Sequence, residues 1–281
     1  TRFGLVSWAR RCVQETVYKE QQTFSKFSEI KDPCKHPQVG EIVDGIRPLK
    51  DFDYIFMRKD PPVDVDYMNA LYILSQAEFE GANILNRPSA LMKFNEKIFA
   101  LQFSDWMPDT SVICKESDFK LFKEKYSNVI LKPLNGMGGD SIYKFDKTSE
   151  DHLKIFKELT NNHKTMVMVQ NFLPEIYDGD YRILIINGEP FPIGLARIPQ
   201  KGSFKGNLAA GGRGEARELS ADQIQASKEI GKLLIQEGIL FAGIDMIGSS
   251  LTEVNITSPT GAREILTQTG QNPIKALLQS I

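Results

Sequence analysis

The sequence predicts an α/β protein built from α+β modules, and three patterns along the chain support this. A strand, a helix and a second strand near residues 53–86 make one β-α-β unit. Two apolar strand segments flank a glycine loop at 134–140. Further on, Asn187-Gly188 separates two apolar runs, which is a strong hairpin signal. The chain has 281 residues, about twice an average domain, so two or three packed units are expected.

Composition is that of an ordinary globular enzyme, with 41% hydrophobic residues, 25% charged residues and a net charge of −2. A nucleic-acid partner is not expected, because such surfaces are net basic. No apolar run reaches the roughly 18 residues of a membrane helix, and no signal peptide opens the sequence, so no membrane association is expected. Cys12, Cys34 and Cys114 are far apart and lack CxxC spacing, which favours a reducing cytoplasm over disulfides or zinc.

Three units are predicted, at residues 1–88, 89–164 and 165–281. In the first, residues 1–50 show no strong period, and the readable elements are a strand at 53–57, a helix at 64–80 and a strand at 83–86. The second unit is predicted to contain helices at 89–103, 116–126 and 149–161, and strands at 111–114, 128–133 and 141–145.

The third unit is predicted to begin with a buried strand at 165–170. The Asn187-Gly188 hairpin and a glycine-rich loop at 199–218 follow it. Ser220 and Gln223 form a capping box, which predicts a helix that starts there and reaches Glu237.

A strand pair near residue 250 follows and carries the most informative polar pattern of the chain. If residues 248–250 form the hairpin loop, Ile247 pairs with Leu251 and Asp245 lies opposite Glu253.

Asn255 shares a strand face with Glu253, because successive side chains alternate faces. Asp245, Glu253 and Asn255 are hard oxygen ligands without Cys or His nearby, which favours Mg²⁺ completed by substrate phosphates. The alternative is a hairpin with one polar, solvated face.

The glycine loop that contains Gly136, Gly138 and Gly139 is not a P-loop, because no Gly-Lys-Ser/Thr follows. It could fold over phosphates as a flap through its backbone N–H groups, although a plain β-turn is an alternative. Lys132, at the end of the preceding strand, could neutralise a phosphate; a solvated lysine is the other interpretation.

Residues 202–214 hold five glycines and two basic residues, which predicts a cationic lid, with a disordered surface loop as the alternative. Arg182 and Arg197 lie near the ends of the preceding hairpin. Each guanidinium group can bind carboxylate or phosphate oxygens through two of its nitrogens. No Ser-His-Asp set is indicated. Cationic arms, a glycine flap and a carboxylate–amide hairpin together suit phosphoryl transfer.

These motifs together resemble the bacterial glutathione synthetases, a family of ATP-grasp ligases. The resemblance runs from about residue 53 to residue 281 and is carried by the segments 57–62, 95–97, 130–139, 170–174, 207–214 and 253–259. It implies an ATP-grasp fold with an N-terminal Rossmann-like (pre-ATP-grasp) domain, and ATP held between the second and third units.

The resemblance also implies roles for individual residues. It implies ATP contacts for Lys97, Lys132, Gly136, Gly138, Gly139, Gln170, Asn171, Phe172, Leu173 and Asp180. It implies substrate contacts for Arg58, Asn207, Gly212, Arg213, Thr257 and Ser258. It implies catalytic contacts for Arg182, Arg197 and Arg213, and Mg²⁺ (or Mn²⁺) ligation by Asp245, Glu253 and Asn255.

The implied activity is ATP-dependent ligation of γ-glutamylcysteine and glycine through an acyl phosphate, by a cytoplasmic homotetramer. Two alternatives stay open: a related ligase that adds a different amino acid to a peptide, and a non-catalytic ATP-binding regulatory module. The sequence departs from the family pattern at Lys205, where Arg is common, and in its first fifty residues, which lack the opening strand pattern.

Overall fold

The computed structural model describes residues 3–6, 16–28, 42–60, 62–136 and 141–281. In these ranges the strands are β1 (Phe3–Val6), β2 (Val17–Lys19), β3 (Gln22–Ser28), β4 (Ile42–Pro48), β5 (Tyr54–Met57), β6 (Ile84–Leu85), β7 (Thr110–Ile113), β8 (Asn128–Pro133), β9 (Tyr143–Asp146), β10 (Val167–Asn171), β11 (Asp180–Ile186), β12 (Glu189–Pro190), β13 (Ile193–Ile198), β14 (Arg213–Glu218), β15 (Phe241–Ile247) and β16 (Ser250–Asn255). The α-helices are α1 (Val65–Phe79), α2 (Pro88–Lys93), α3 (Glu96–Ala100), α4 (Glu116–Lys125), α5 (His152–Leu159), α6 (Ala221–Gln236), α7 (Ala262–Thr269) and α8 (Pro273–Ser280).

The predicted β-α-β unit is confirmed: β5 and β6 are parallel neighbours joined through α1. The first fifty residues, in which the sequence shows no opening strand pattern, do contain a strand that joins this unit, because β1 pairs in parallel with β5, with Phe3 opposite Tyr54. A four-residue strand is too short to give a detectable period, and its pairing is set by contacts distant in sequence. A separate antiparallel sheet is formed by β2, β3 and β4.

The single helix predicted over 89–103 is wrong, because the chain forms two short helices, α2 and α3, and then a 3-10 segment. Phe94 is extended, and the Asn95 side chain accepts hydrogen bonds from the backbone N–H groups of Lys97 and Ile98. The Asn95 cap therefore starts a new helix axis inside an otherwise helical apolar pattern. This break places Lys97 in the first turn of α3.

The middle sheet has the order β7-β10-β8-β9 and is antiparallel. Helices α4 and α5 cover it, and the buried rings of Phe119 and Phe156 stack with centroids 4.7 Å apart. Strand β8 ends at Pro133, so the chain leaves the sheet into the glycine loop. The predicted strand–loop–strand arrangement is confirmed on both sides of the undescribed residues 137–140.

The largest sheet has the order β14-β13-β11-β15-β16, with β12 paired to β11. Asn187 and Gly188 both have positive φ, at 49° and 81°, as a tight hairpin turn requires. The capping box of Ser220 and Gln223 starts α6 as predicted. The expectation of a loop throughout 199–218 is wrong at its end, where β14 pairs with β13.

The β15–β16 hairpin has Asp245 opposite Glu253, as predicted, but the turn and the register beside it differ from the prediction. The turn is two residues long, so Ile247 pairs with Ser250 rather than with Leu251. A bulge beside Asp245 then leaves one extra residue on β16 and restores the predicted pairing. The Thr252 hydroxyl at this bulge donates to the Asp245 carbonyl oxygen at 3.1 Å.

One hydrophobic core joins the first unit to the largest sheet, since buried residues of α1 and β5 pack in the same cluster as residues of β15, β16 and α6. Asn86 fixes this junction. Its side-chain amide donates to the carbonyl oxygens of Phe241 and Ile256, at 2.7 and 2.8 Å, and its oxygen accepts from the N–H groups of Leu240 and Phe241. Among the described residues, no helix has both the length and the apolar character to cross a membrane.

Candidate active site

A cleft lies between the middle sheet and the largest sheet and encloses about 870 Å³, including its open mouth. Ends of β8 and β10, the start of β11 and the β15–β16 hairpin all contribute to its walls. Eleven residues that the sequence predicted for the site line it: Lys97, Lys132, Gly136, Gln170, Asn171, Phe172, Leu173, Asp180, Asn207, Asp245 and Glu253.

Two arginines and two aspartates form a buried charge network; Asp180 and Asp245 line the cleft, and Arg182 and Arg197 lie behind them, outside the lining. Arg182 binds Asp245 with two nitrogens, Nε to Oδ1 at 2.5 Å and Nη2 to Oδ2 at 3.1 Å. Arg197 lies 3.0 Å from the same Oδ2 through its Nη2 and also forms an ion pair with Asp180. The register of β11, β13 and β15 produces this cluster, because Asp180 lies opposite Arg197 and Arg182 lies opposite Asp245.

The charges in this network determine the ionisation of its two aspartates. Burial opposes ionisation of Asp245, but the guanidinium groups of Arg182 and Arg197 outweigh it and hold the pKa of Asp245 below its usual range. Burial raises the pKa of Asp180 to about 6, against the opposing charge of Arg197. Asp245 is therefore the permanent anion of the cluster.

Two buried lysines meet one carboxylate on the opposite wall. The Nζ atoms of Lys97 and Lys132 both lie 3.6 Å from Glu253 Oε1, and both lysines are 4% exposed. Lys97 also donates to the Gly136 carbonyl oxygen at 2.6 Å, which links α3 to the glycine loop. Burial lowers the pKa of Lys132, while the charge of Glu253 opposes that shift.

In the cleft and the arginine–aspartate network behind it, the cations described above outnumber the carboxylates by one. Lys97, Lys132, Arg182 and Arg197 carry four positive charges, against three carboxylates on Asp180, Asp245 and Glu253. An excess of buried positive charge favours a polyanion such as a triphosphate.

The donor set also fits a divalent metal that arrives with phosphates. Among the described residues, no cluster of three His, Cys, Asp or Glu side chains could hold a metal alone. Glu253 and Asn255 offer side-chain oxygens to such a metal, and the buried Nδ2 of Asn255 has no partner within the protein. Mg²⁺ commonly takes one or two carboxylates and completes its shell with phosphate and water.

The remaining wall of the cleft is formed by β10 and the segment after it. Gln170 donates to the Thr110 hydroxyl at 2.9 Å, and Asn171 has a buried side-chain oxygen without a partner. The Lys144 ammonium lies 3.6 Å from the Phe172 ring centroid. This wall offers apolar surface with a few polar groups, which suits a purine base.

The predicted lid, residues 202–214, contributes Phe204–Asn207 to the cleft lining. A Cβ on Gly206 would collide with the carbonyl oxygen of Arg197, so glycine there lets the loop approach the charge network closely. Gly212 is held by its N–H bond to the Asn207 carbonyl at 3.1 Å. Lys205 also lines the cleft.

Some predicted site residues lie elsewhere. The Arg213 side chain is 73% exposed and pairs with Glu215, which also pairs with Arg217. Gly138 and Gly139 lie outside the described residues. Arg58, Thr257 and Ser258 lie outside the cleft lining and belong to a neighbouring polar cluster.

That neighbouring cluster contains three residues that the sequence reasoning missed, namely Asp60, Tyr67 and Glu96. The Thr257 hydroxyl contacts carboxylate oxygens of both Asp60 and Glu96, the latter at 2.8 Å. The sequence held a weak signal for two of them, since Asp60 lies in the Arg58–Pro62 segment and Glu96 precedes Lys97.

Two family models account for most of the chain. The model of the prokaryotic glutathione synthetase ATP-grasp domain matches residues 96–270, and the model of the N-terminal domain of the same family matches residues 12–92. The chain belongs to the prokaryotic glutathione synthetase family. It is an ATP-dependent ligase, and the ATP-grasp fold expected from the resemblance is confirmed.

Curated members of the glutathione synthetase family are similar over most of the chain. The glutathione synthetase of Escherichia coli is 49% identical over 219 residues, which is 78% of this chain and 69% of that protein. The glutathione synthetase of Vibrio parahaemolyticus is 47% identical over 217 residues, or 77% of this chain and 69% of that protein.

Solved structures share the fold at low sequence identity. A peptide-associated ATP-grasp ligase from Chryseobacterium gregarium, in complex with ADP and peptides, has a TM-score of 0.63 at 16% identity and covers 95% of this chain and 84% of its own. The ligase PsnB, complexed with a minimal precursor, Mg and ADP, has a TM-score of 0.58 at 16% identity, with 81% and 76% covered. D-alanyl-alanine synthetase A from Vibrio cholerae has a TM-score of 0.54 at 16% identity, with 94% and 85% covered.

Proposed function

We propose that the chain joins γ-glutamylcysteine to glycine with cleavage of ATP to ADP and phosphate. The observation that carries this proposal is the cleft in which two buried lysines and two buried arginines exceed the acids beside them. The three carboxylates beside them leave one of the four buried positive charges uncompensated, so the site is suited to an anionic ligand such as a triphosphate or a substrate carboxylate.

In the first step, a carboxylate oxygen of the cysteinyl residue attacks the γ-phosphorus of ATP, and the bond from that phosphorus to the ADP oxygen breaks. Lys97 and Lys132 neutralise phosphate oxygens, while Arg182 and Arg197 hold the transferring group and the attacking carboxylate together. Both reactants are anions, and their mutual repulsion is what these guanidinium groups offset.

In the second step, the neutral amine of glycine attacks the acyl carbon, phosphate leaves, and the amine loses one proton as the peptide bond forms. Residues 202–214 cover the cleft and keep water from the acyl phosphate. Arg213 contacts substrate from this lid, so the lid moves Arg213 inward when substrates bind. Asn207 and Gly212 contact the substrate from the same segment.

Asp245, Glu253 and Asn255 would hold Mg²⁺, or Mn²⁺, which supplies charge neutralisation at the phosphates when bound. Gln170–Leu173 would hold the adenine, and Asp180 would lie toward the ribose. The flap glycines Gly136, Gly138 and Gly139 would contact phosphates through their N–H groups. This proposal includes the homotetramer that the family resemblance implies, a cytoplasmic location and no nucleic-acid or membrane partner, as composition and hydropathy suggest, and the domain boundaries at 88/89 and 164/165.

The decisive experiment is a phosphate-release assay with ATP, Mg²⁺ and γ-glutamylcysteine against a panel of amino-acid acceptors. Glycine-dependent release is the expected result. Release with another amine alone would favour a different peptide–amino acid ligase. ATP binding without release under any acceptor would favour a regulatory module.

A further inference from the structure

The lid arginine Arg213 projects from the opposite face of the largest sheet to the charge network. Across β13 and β14, Arg197 is paired with Gly214, and Ile198 is paired with Arg213. Paired residues share a face of a sheet and successive residues alternate faces, so Arg213 and Arg197 point in opposite directions. The proposed function requires Arg213 to contact substrate in the cleft. Residue 213 must therefore leave its pairing with Ile198 when the lid closes.

The rest of β14 is held on both of its sides. Among the described strands, β14 lies at the edge of its sheet, and the side-chain amide of Gln268 from α7 bonds to it there. The Gln268 oxygen accepts from the N–H of Ala216 at 2.8 Å, and its nitrogen donates to the Gly214 carbonyl oxygen at 3.0 Å. These bonds satisfy backbone groups that the edge leaves unpaired. The part of the lid that can move without breaking them therefore ends at Arg213.

Three charged residues, at positions 213, 215 and 217, alternate along the outer face of β14. Arg217 is the anchored one, because its Nη1 donates to the Asp178 carbonyl oxygen at 2.9 Å and lies 3.4 Å from the Tyr181 hydroxyl. Its Nε and Nη2 donate to Glu215 Oε2, at 3.2 and 2.5 Å. These hydrogen bonds hold the pKa of Glu215 below its usual range, so Glu215 is an anion at neutral pH. Its other oxygen, Oε1, lies 2.6 Å from Arg213 Nη2.

The exposure of these side chains shows which contact can break. The side chains of Glu215 and Arg217 are 30% and 37% exposed, whereas that of Arg213 is 73% exposed. An ion pair at such exposure contributes little free energy, so Arg213 can leave Glu215 at low cost. Glu215 and the groups that Arg213 would meet in the cleft are all oxygen anions, and a guanidinium group binds them in the same way. They therefore compete for Arg213.

We propose that Glu215 is a positioning residue that holds Arg213 outside the cleft in the ligand-free protein. When the lid closes, residue 213 separates from Ile198, and Arg213 exchanges Glu215 for an anionic group of the bound reactants. This inference rests on the proposed function, in which Arg213 contacts substrate from the lid. It adds the residue that opposes this contact, with Arg217 as the anchor of that residue.

The proposal is tested by chymotrypsin cleavage after Phe204 in the intact protein. ADP and Mg²⁺ are added first, and γ-glutamylcysteine is then added in steps. Phe204 lies in the lid but far along the chain from residue 215, so substitutions there do not alter how the protease recognises this bond. Glu215→Gln should lower the ligand concentration that gives half protection by about two- to fivefold, because an exposed ion pair that opposes closure is lost. Glu218→Gln, at the exposed end of the same strand, is the matched control and should leave that concentration unchanged.

An Arg213→Ala background shows whether Glu215 acts through Arg213. In that background, Glu215→Gln should cause no further change in the half-protection concentration. Glu215→Asp keeps the charge on a shorter side chain and should cause a smaller change than Glu215→Gln. In assays of glycine-dependent phosphate release, Glu215→Gln should lower the KM for γ-glutamylcysteine without raising kcat, whereas loss of a merely structural contact would raise KM.

The two stages of ligand addition identify the group that replaces Glu215. A shift already seen with ADP and Mg²⁺ assigns the new contact to the nucleotide phosphates, and a shift seen only with dipeptide assigns it to a dipeptide carboxylate; either result supports the exchange. An unchanged half-protection concentration in Glu215→Gln, or an equal shift when residue 213 is alanine, would overturn the proposal. A higher concentration would also overturn it, because Glu215 would then stabilise the closed lid. Lid protection by dipeptide without glycine-dependent phosphate release would overturn the proposed function and leave the role of Glu215 standing.

Discussion

Replacing Arg197 with alanine should affect both folding and catalysis, and the structure separates the two effects. Arg197 is 5% exposed, forms an ion pair with Asp180 and lies 3.0 Å from Asp245 Oδ2. Asp245 keeps both contacts to Arg182, but Asp180 loses its main cation while it stays buried. Removing one partner of a buried ion pair typically costs about 3–5 kcal/mol. In a protein of this size, that lowers the melting temperature by roughly 10 °C.

The catalytic effect should be larger than any effect on nucleotide binding. A charged contact that strengthens in the transition state is worth about 3 kcal/mol, or roughly a hundredfold in turnover number. Arg197→Lys should recover part of the turnover, because a point charge cannot make the two-pronged contact. Urea denaturation and initial-rate kinetics measure the two effects independently.

A second substitution tests the physical reason for the loss of stability. Adding Asp180→Asn to Arg197→Ala should recover stability, because it removes the uncompensated buried charge, but it should not recover turnover. Arg217→Ala, which removes a partly exposed ion pair in the same sheet, is the control and should cost at most about 1 kcal/mol. An Arg197→Ala protein as stable as the Arg217→Ala control would refute the argument. Unchanged turnover with a much poorer KM for ATP would move Arg197 to nucleotide binding.

Three further predictions follow from other parts of the site. Glu253→Gln should abolish ligation at limiting Mg²⁺, because it removes the charge that faces two buried lysines and the metal; a near-normal rate would exclude the hairpin as the metal site. Limited proteolysis should cut within residues 202–214 in the ligand-free protein and be suppressed by ATP plus dipeptide, while equal cleavage would argue against a lid. For Glu96, the folded-state pKa near 7 lies above the unfolded value of 4.5, so its ionisation removes stability as pH rises from about 4.5 to 7. Glu96→Gln should therefore leave stability nearly unchanged at pH 4 and raise it by up to about 3 kcal/mol at pH 8, whereas the exposed Glu150→Gln should give no such difference in urea denaturation.

Local patterns predicted much of the fold because their physical causes are local. The Ser220–Gln223 capping box and the Asn187-Gly188 turn are each set within four residues, and both formed as expected. The single helix predicted at 89–103 is wrong for an equally local reason. The capping residue Asn95 starts a new helix, although the apolar period continues across this position. Propensity and periodicity do not reveal when a side chain will bind the backbone two and three residues ahead.

In the candidate site, too, some features could be predicted from local sequence motifs and others depended on contacts between distant segments. The motifs predicted many of the residues that line the cleft through the family resemblance that they carry, whereas residue chemistry alone left a solvated Lys132 and a plain β-turn at the glycine loop as alternatives. They did not predict that Asp245 would be bound by two arginines, because those contacts depend on the register of three strands distant in sequence. Asp60 and Tyr67 were missed because isolated Asp and Tyr residues give no pattern until α1 and the segment after β16 meet.

The sequence alone determined the α/β class, most element positions and the family-specific motifs, since these depend on local backbone preference and residue chemistry. Only the tertiary structure decided the charge balance of the cleft and the position of the hairpin. Asn86 shows why. Its four hydrogen bonds reach residues 154 to 170 positions away and anchor both strands that carry the metal-site candidates. Such hydrogen bonds form because folding buries polar groups that are far apart in the chain and removes their water. No local sequence pattern indicates which of these groups will become partners.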